Sequence, residues 1–179
     1  MTIKKSMEEL GRVAPDAERQ VIPVIVILDD VRSMHNVGSV FRTCDAFAVS
    51  ELWLCGYTPT PPHRDIHKTA LGATETVKWR HFKDTMSAVN EAREQGCVVM
   101  SVEQAHGSIA LQDFTPDSSR PLALVLGNEV EGVNDAVLQA SDGCIEIPQY
   151  GSKHSLNISV SAGVVLWELV RAAKTGWKY

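Results

Sequence analysis

Apolar and polar positions along this chain alternate between two periods. Residues 21–28, VIPVIVIL, form a continuous, mostly β-branched apolar run. Such a run predicts a strand buried on both faces, the habit of parallel sheets. The period then lengthens. In NVGSVFRTCDAFAV, Val37, Val40, Phe41, Cys44 and Phe47 recur at helical spacing. ELWLCG, residues 51–56, predicts a second strand. Residues 57–67 contain Pro59, Pro61 and Pro62 and predict a loop, and KTALGA after them a short helical turn. Asp84 is placed to cap a helix that ends before Gly96. CVVMSVE, PLALVLG and CIEIP predict three more strands. SLNISVSAGVVLWELVRAAK closes the pattern as a long helix with Val160, Val164, Trp167, Leu169 and Val170 apolar and Ser155 as its natural cap. Ahead of the first strand, Ser6 and Glu9 fit a capping box. They predict a short helix starting near Met7, which Pro15 ends.

Strands alternating with helices predict an α/β fold with a mostly parallel sheet. Residues 1–20 read as a short N-terminal extension and 21–179 as a single domain, with no internal repeat or linker. In such sheets ligands bind beyond the carboxyl ends of the strands. That rule selects four places, beginning at Asp29, Glu103, Gly127 and Pro148, and polar residues cluster at each of them.

Composition narrows the picture modestly. The 179 residues are 44% apolar, enough for a real core. A net charge of −5 argues against holding nucleic acid by bulk charge, though not against a local basic groove. Cys44, Cys55, Cys97 and Cys144 form no C-x-x-C pair and read as reduced thiols of a cytoplasmic protein. No metal is expected. No apolar run is long enough to span a membrane, and MTIKKSMEEL lacks the apolar centre of a signal peptide.

Three segments carry candidate chemistry. In the first, Asn36 and Gly38 are expected at a strand-to-helix turn, and Arg42 points away from the apolar stripe, toward solvent or a ligand. In the second, a buried strand runs straight into Gly127, Asn128 and Glu129, where a glycine allows close approach to the backbone. Neither G-x-x-x-x-G-K-[ST] nor G-x-G-x-x-G occurs, which disfavours P-loop and dinucleotide-binding enzymes. The third is IEIPQYGSKHSLNIS. Ser155 alone reads as a helix cap, but Asn157 in a first helical turn fits less well and suggests a side-chain task.

In this order the three segments resemble the SpoU/TrmH branch of the SPOUT RNA methyltransferases. The family's N-x-G-x-x-x-R stands here as Asn36, Gly38 and Arg42, and its G-N-E as Gly127, Asn128 and Glu129. Its isoleucine-proline, glycine and S-L-N elements stand as Ile147, Pro148, Gly151, Ser155, Leu156 and Asn157. HKTALGA, residues 67–73, is also similar to a family segment. The likeness runs from about Val24 to Arg171. Three positions depart from the usual pattern: Gln149 replaces a frequent methionine, and Val130 and Glu131 replace smaller residues.

The resemblance implies methyl transfer from S-adenosylmethionine to a ribose 2′-hydroxyl of RNA. It implies helices on both faces of the sheet, a C-terminal trefoil knot, and an active site at a homodimer interface. It assigns Arg42 to the RNA backbone and the reacting hydroxyl, and Asn36 to the ribose or phosphate. Glu129 would hold Arg42 or a neighbouring backbone group, while Ser155 and Asn157 complete a polar wall. Gly127, Ile147 and Leu156 would contact the donor, with Glu103 a further candidate. Transfer RNA is the preferred substrate and ribosomal RNA the alternative; no membrane or DNA partner is expected. Local cations for RNA would come from Arg32, His35, Arg42, His63, Arg64, His67, Lys68, Lys153 and His154, and Trp177 and Tyr179 are candidates for core or dimer packing ahead of stacking on bases. A non-catalytic RNA-binding protein with the same fold, and a small-molecule α/β enzyme, are the competing readings.

Overall fold

The computed structural model describes residues 2–6, 21–152 and 155–173. The helix expected near Met7, and Lys153, His154, Trp177 and Tyr179, lie outside them.

Among the described residues, seven strands form one sheet: β1 (Ile22–Asp29), β2 (Val49–Cys55), β3 (Trp79–Phe82), β4 (Val98–Val102), β5 (Ile109–Ala110), β6 (Leu122–Leu126) and β7 (Gly143–Glu146). Their order is β3-β2-β1-β6-β4-β7-β5, and every ladder is parallel. The helices are α1 (Met34–Ala46), α2 (Arg64–Ala70), α3 (Ala73–Thr76), α4 (Thr85–Glu94), α5 (Asp135–Ala140) and α6 (Ile158–Ala173), with a 3-10 turn at Leu111–Asp113.

The apolar run in β1 is explained by what covers it. Val24, Val26 and Leu28 point into a core shared with α1, α2, α3 and α6. Ile25 and Ile27 point the other way, into a core shared with α4 and α5. Both sets are buried, so the strand has no polar side. Each such side chain contributes about 1.5–3 kcal/mol relative to exposure. Helices therefore cover both faces, as expected. Among the described residues no helix is long and apolar enough to cross a membrane. Cys44, Cys55 and Cys97 are buried and Cys144 half-buried, all as free thiols. Burial pushes all four above the ordinary thiol value, Cys55 to about 12, so they are poor nucleophiles.

Several local expectations are corrected. Asn36 and Gly38 do not sit in a turn; both lie inside α1, which Ser33 caps. Gly38 is there for packing, since a Cβ on it would come within 2.2 Å of Thr69 Oγ1 and 2.3 Å of the Ile66 carbonyl on α2. The last helix starts later than expected, and Asn157 rather than Ser155 caps it. The Asn157 carbonyl accepts from the N–H groups of Val160 and Ser161, and its side chain accepts from the Ser159 N–H at 2.9 Å. KTALGA spans the end of α2 and the start of α3 instead of one turn, and β3, β5 and α5 are additional.

Register brings the four expected loop origins together. Leu28 pairs with Leu126, Leu126 with Val102, and Val102 with Ile145. The carboxyl ends of β1, β6, β4 and β7 thus lie side by side at one edge of the sheet.

Candidate active site

The loops leaving those four strands are pinned by side chains from one another. Asp29, buried at the end of β1, accepts from Thr85 Oγ1 and from the Asn134 N–H at 2.8 Å. It thereby ties the start of α4 to the start of α5. At the end of β4, Glu103 accepts from its neighbour Gln104 N–H at 2.8 Å and from the Val133 N–H at 3.1 Å. Its carboxylate leaves room only for hydrogen opposite it at Gly132, which also needs its φ of +71°. After β6 the chain doubles back tightly. Asn128 Oδ1 accepts from the N–H groups of Val130 and Glu131, both at 2.8 Å, and Asn128 and Gly132 bridge through their backbones. A Cβ at Gly127 would meet Gly132 C at 2.0 Å and Val133 N at 2.1 Å, so the hairpin closes only on glycine.

Glu129 projects from this hairpin toward the start of α1. It accepts from the backbone N–H groups of Arg32 and Ser33, each at 3.3 Å, and from Asn36 Nδ2 at 2.8 Å. A carboxylate at a helix N-terminus is favoured there by the orphan N–H groups and the helix dipole. Burial pushes this carboxyl up, but the hydrogen bonds from Asn36, its own backbone, Arg32 and Ser33 outweigh it and hold the group below the ordinary glutamate range. With Nδ2 committed to Glu129, Asn36 presents Oδ1 to Asn157, whose Nδ2 donates to it at 3.1 Å. Asn157 in turn accepts from Ser159 Oγ at 2.7 Å. One polar chain thus joins the three segments through β6, α1 and α6.

A cavity of about 580 Å³ opens beside this chain, beyond the ends of β4, β6 and β7. Glu103, Gly127, Ile147 and Leu156, the four expected donor contacts, all line it, as do Glu129, Ser155 and Asn157. Its apolar wall includes Val102, Leu126, Leu138 and Ile158. Asn36 is joined to the cavity wall through Glu129 and Asn157 rather than lining it. Arg42 is not brought into the cavity. It lies further along α1, exposed, on the side away from Val40, Phe41 and Cys44. Glu129 therefore holds backbone groups and Asn36, not Arg42. Glu131, Asp135 and Ser161 also line the cavity and were not anticipated. Ser161 had a readable signal, standing one helical turn beyond Asn157; Asp135 had none without knowledge of α5.

The sequence pattern of the SpoU rRNA Methylase family matches residues 23–167. The chain belongs to this family. It is 30% identical over 175 residues to the tRNA (guanosine(18)-2′-O)-methyltransferase of Aquifex aeolicus, covering 96% of this chain and 78% of that one. It is 34% identical over 151 residues to the 23S rRNA (guanosine-2′-O-)-methyltransferase of Nitrosomonas europaea, covering 83% and 56%. Among SpoU-like folds of known structure, the AdoMet-bound rRNA methyltransferase of Sinorhizobium meliloti superposes with a TM-score of 0.77 at 28% identity, covering 88% of this chain and 60% of that one. The chain spans less than two thirds of several relatives that it matches.

Proposed function

We propose that this chain transfers a methyl group from S-adenosylmethionine to a ribose 2′-hydroxyl of RNA. The observation that carries this reading is the Glu129–Asn36–Asn157 chain of hydrogen bonds at the edge of a donor-sized cavity. The cavity suits the donor chemically: Ile147, Leu156, Val102 and Leu138 offer an apolar wall for the adenine, and carboxylates offer sites for cationic groups. The bound donor supplies an electrophilic methyl group. The chain's own residues position and polarise the acceptor. Asn36 and Asn157, their amides fixed by Glu129, direct their remaining N–H donors at the ribose. Arg42, permanently protonated, forks an RNA phosphate and lowers the cost of negative charge on the reacting oxygen. Glu129 is a poor proton acceptor, because three other groups already donate to it and its affinity for a proton is depressed.

Transfer RNA is the favoured substrate. The match to the Aquifex tRNA enzyme runs over 175 residues of this chain and that to the Nitrosomonas rRNA enzyme over 151. The C-terminal segment is read as a trefoil knot. In support, α6 follows β7 near one end of the sheet, yet packs back on α1 and against the 3-10 turn of the 103–121 connection. A homodimer is read from Val160, Val164 and Trp167, spaced along one exposed stripe of α6. Ribose-methylation mapping on tRNA and rRNA from cells with and without this protein tests the function. A site lost from tRNA and regained with the wild-type chain is expected; an unchanged methylation map in both RNAs removes the reading.

A further inference from the structure

Charge is divided sharply around this site. Four carboxylates line the cavity, from Glu103, Glu129, Glu131 and Asp135, and no lysine, arginine or histidine among the described residues does so. The basic side chains stand elsewhere: Arg32 in the loop before α1, Arg42 on α1, and Arg64 and Lys68 on α2, all exposed. α1 and α2 are fastened together, with Thr69 Oγ1 donating to the His35 carbonyl at 2.9 Å. A polyanion is thus repelled from the cavity and drawn to the α1–α2 face, while the cavity favours a cation.

The four carboxylates are not equivalent. Glu103 and Glu129 are committed to backbone and amide N–H donors that hold the loops. Glu131 and Asp135 are exposed and form no ion pair with a described residue. We infer that Glu131 and Asp135 are specificity-determining residues that make the cavity prefer the positively charged methyl donor over its neutral product. The inference rests on the reading of this cavity as the donor site. In the transfer the sulfur–methyl bond breaks, sulfur keeps the electron pair, the methyl–oxygen bond forms and the hydroxyl proton passes to solvent water. The adenosyl molecule changes from a net charge of about +1 to zero at neutral pH. An acidic cavity therefore holds the reactant more tightly than the product, and the reaction itself loosens the product for release.

Calorimetry tests this with S-adenosylmethionine, S-adenosylhomocysteine and sinefungin, whose amine replaces the sulfonium. The Glu131→Gln/Asp135→Asn double variant removes both charges at nearly constant shape. At low ionic strength the donor and sinefungin are expected to weaken about fivefold, and the neutral product less than about twofold. At 0.5 M salt the difference between variant and wild type should largely vanish. Equal weakening of charged and neutral molecules, or no weakening of either, overturns the inference. Leu156→Arg separates this from failure of the site reading. Leu156 is 40% exposed, so the variant should fold while placing a bulky cation in the cavity wall. Loss of binding of all three molecules is expected; unchanged binding would remove the cavity as the donor site, whatever the charge result.

Discussion

Asn36 and Glu129, 93 positions apart in the chain, meet at 2.8 Å, and this contact fixes which way the Asn36 amide faces. Glu129 is anionic and only accepts, so the Asn36 oxygen must turn to Asn157. The polarity of the whole network follows from one carboxylate. Glu129→Gln introduces donors where only acceptance fits. Methyl transfer is expected to fall more than about tenfold, with a stability loss of about 1 kcal/mol. Single-turnover rates and urea denaturation measure the two effects.

The same carboxylate sets a pH dependence. Its folded-state affinity for protons lies below the ordinary glutamate value of 4.5, with burial opposing the shift and the hydrogen bonds from Asn36 and the backbone of Glu129, Arg32 and Ser33 prevailing. A depressed carboxyl stabilises the fold fully above the unfolded value and loses that contribution as pH falls through the folded one. The stability gap between wild type and Glu129→Gln should therefore be constant near neutrality and narrow below about pH 4.5. A gap that widens on acidification would contradict the network.

Asn157 has two separable tasks, capping α6 and donating to Asn36. Serine can cap a helix but carries no amide. Asn157→Ser should leave thermal stability within about 0.5 kcal/mol of wild type while impairing transfer, whereas Asn157→Ala should also lose about 1 kcal/mol. Equal activity of the serine variant and wild type would reduce Asn157 to a cap.

Much of this was legible in the sequence, and the exceptions have physical causes. The β1 run announced its burial because both faces are covered. β3 was missed because Trp79-Arg80-His81-Phe82 has a charged centre and no apolar run. Its stability comes from pairing with β2 and from Arg80, whose guanidinium lies over the Trp53 and Phe82 rings at 5.2 and 4.8 Å. That Glu103, Gly127, Ile147 and Leu156 line one cavity was legible because strand ends are visible in hydropathy. The acidic rim was not, because Glu131 and Asp135 reach the cavity only through the hairpin that Asn128 and Gly132 close. The cap was misassigned because Ser155 and Asn157 are both good capping residues, and only the bond from the Ser159 N–H to the Asn157 side chain shows which one the fold selects.

Gly38 marks a contact rather than a turn. A Cβ there cannot avoid Thr69 Oγ1 and the Ile66 carbonyl without parting α1 from α2. Gly38→Ala is expected to cost about 1–3 kcal/mol in spite of alanine's better helix propensity. Denaturation midpoints with unchanged slopes measure it; a stabilised variant would show that the two helices separate freely.

Arg42 provides the sharpest separation of chemistry from stability. It is exposed on α1, lies outside the cavity lining, and forms no ion pair with a described residue. Removing it should change stability by no more than about 0.5 kcal/mol and leave donor affinity near wild type. Its proposed task is made only with RNA present, a planar fork on phosphate beside the reacting hydroxyl. Loss of a preorganised charge of this kind lowers turnover by about 100-fold or more. Arg42→Lys should recover little, because an ammonium keeps the charge but not the two parallel donors. Single-turnover transfer to unmodified RNA, donor calorimetry and melting temperature together read all three expectations. Wild-type transfer by Arg42→Ala would return this residue to the solvated surface and shift the proposed handling of the acceptor to the Asn36–Glu129–Asn157 network.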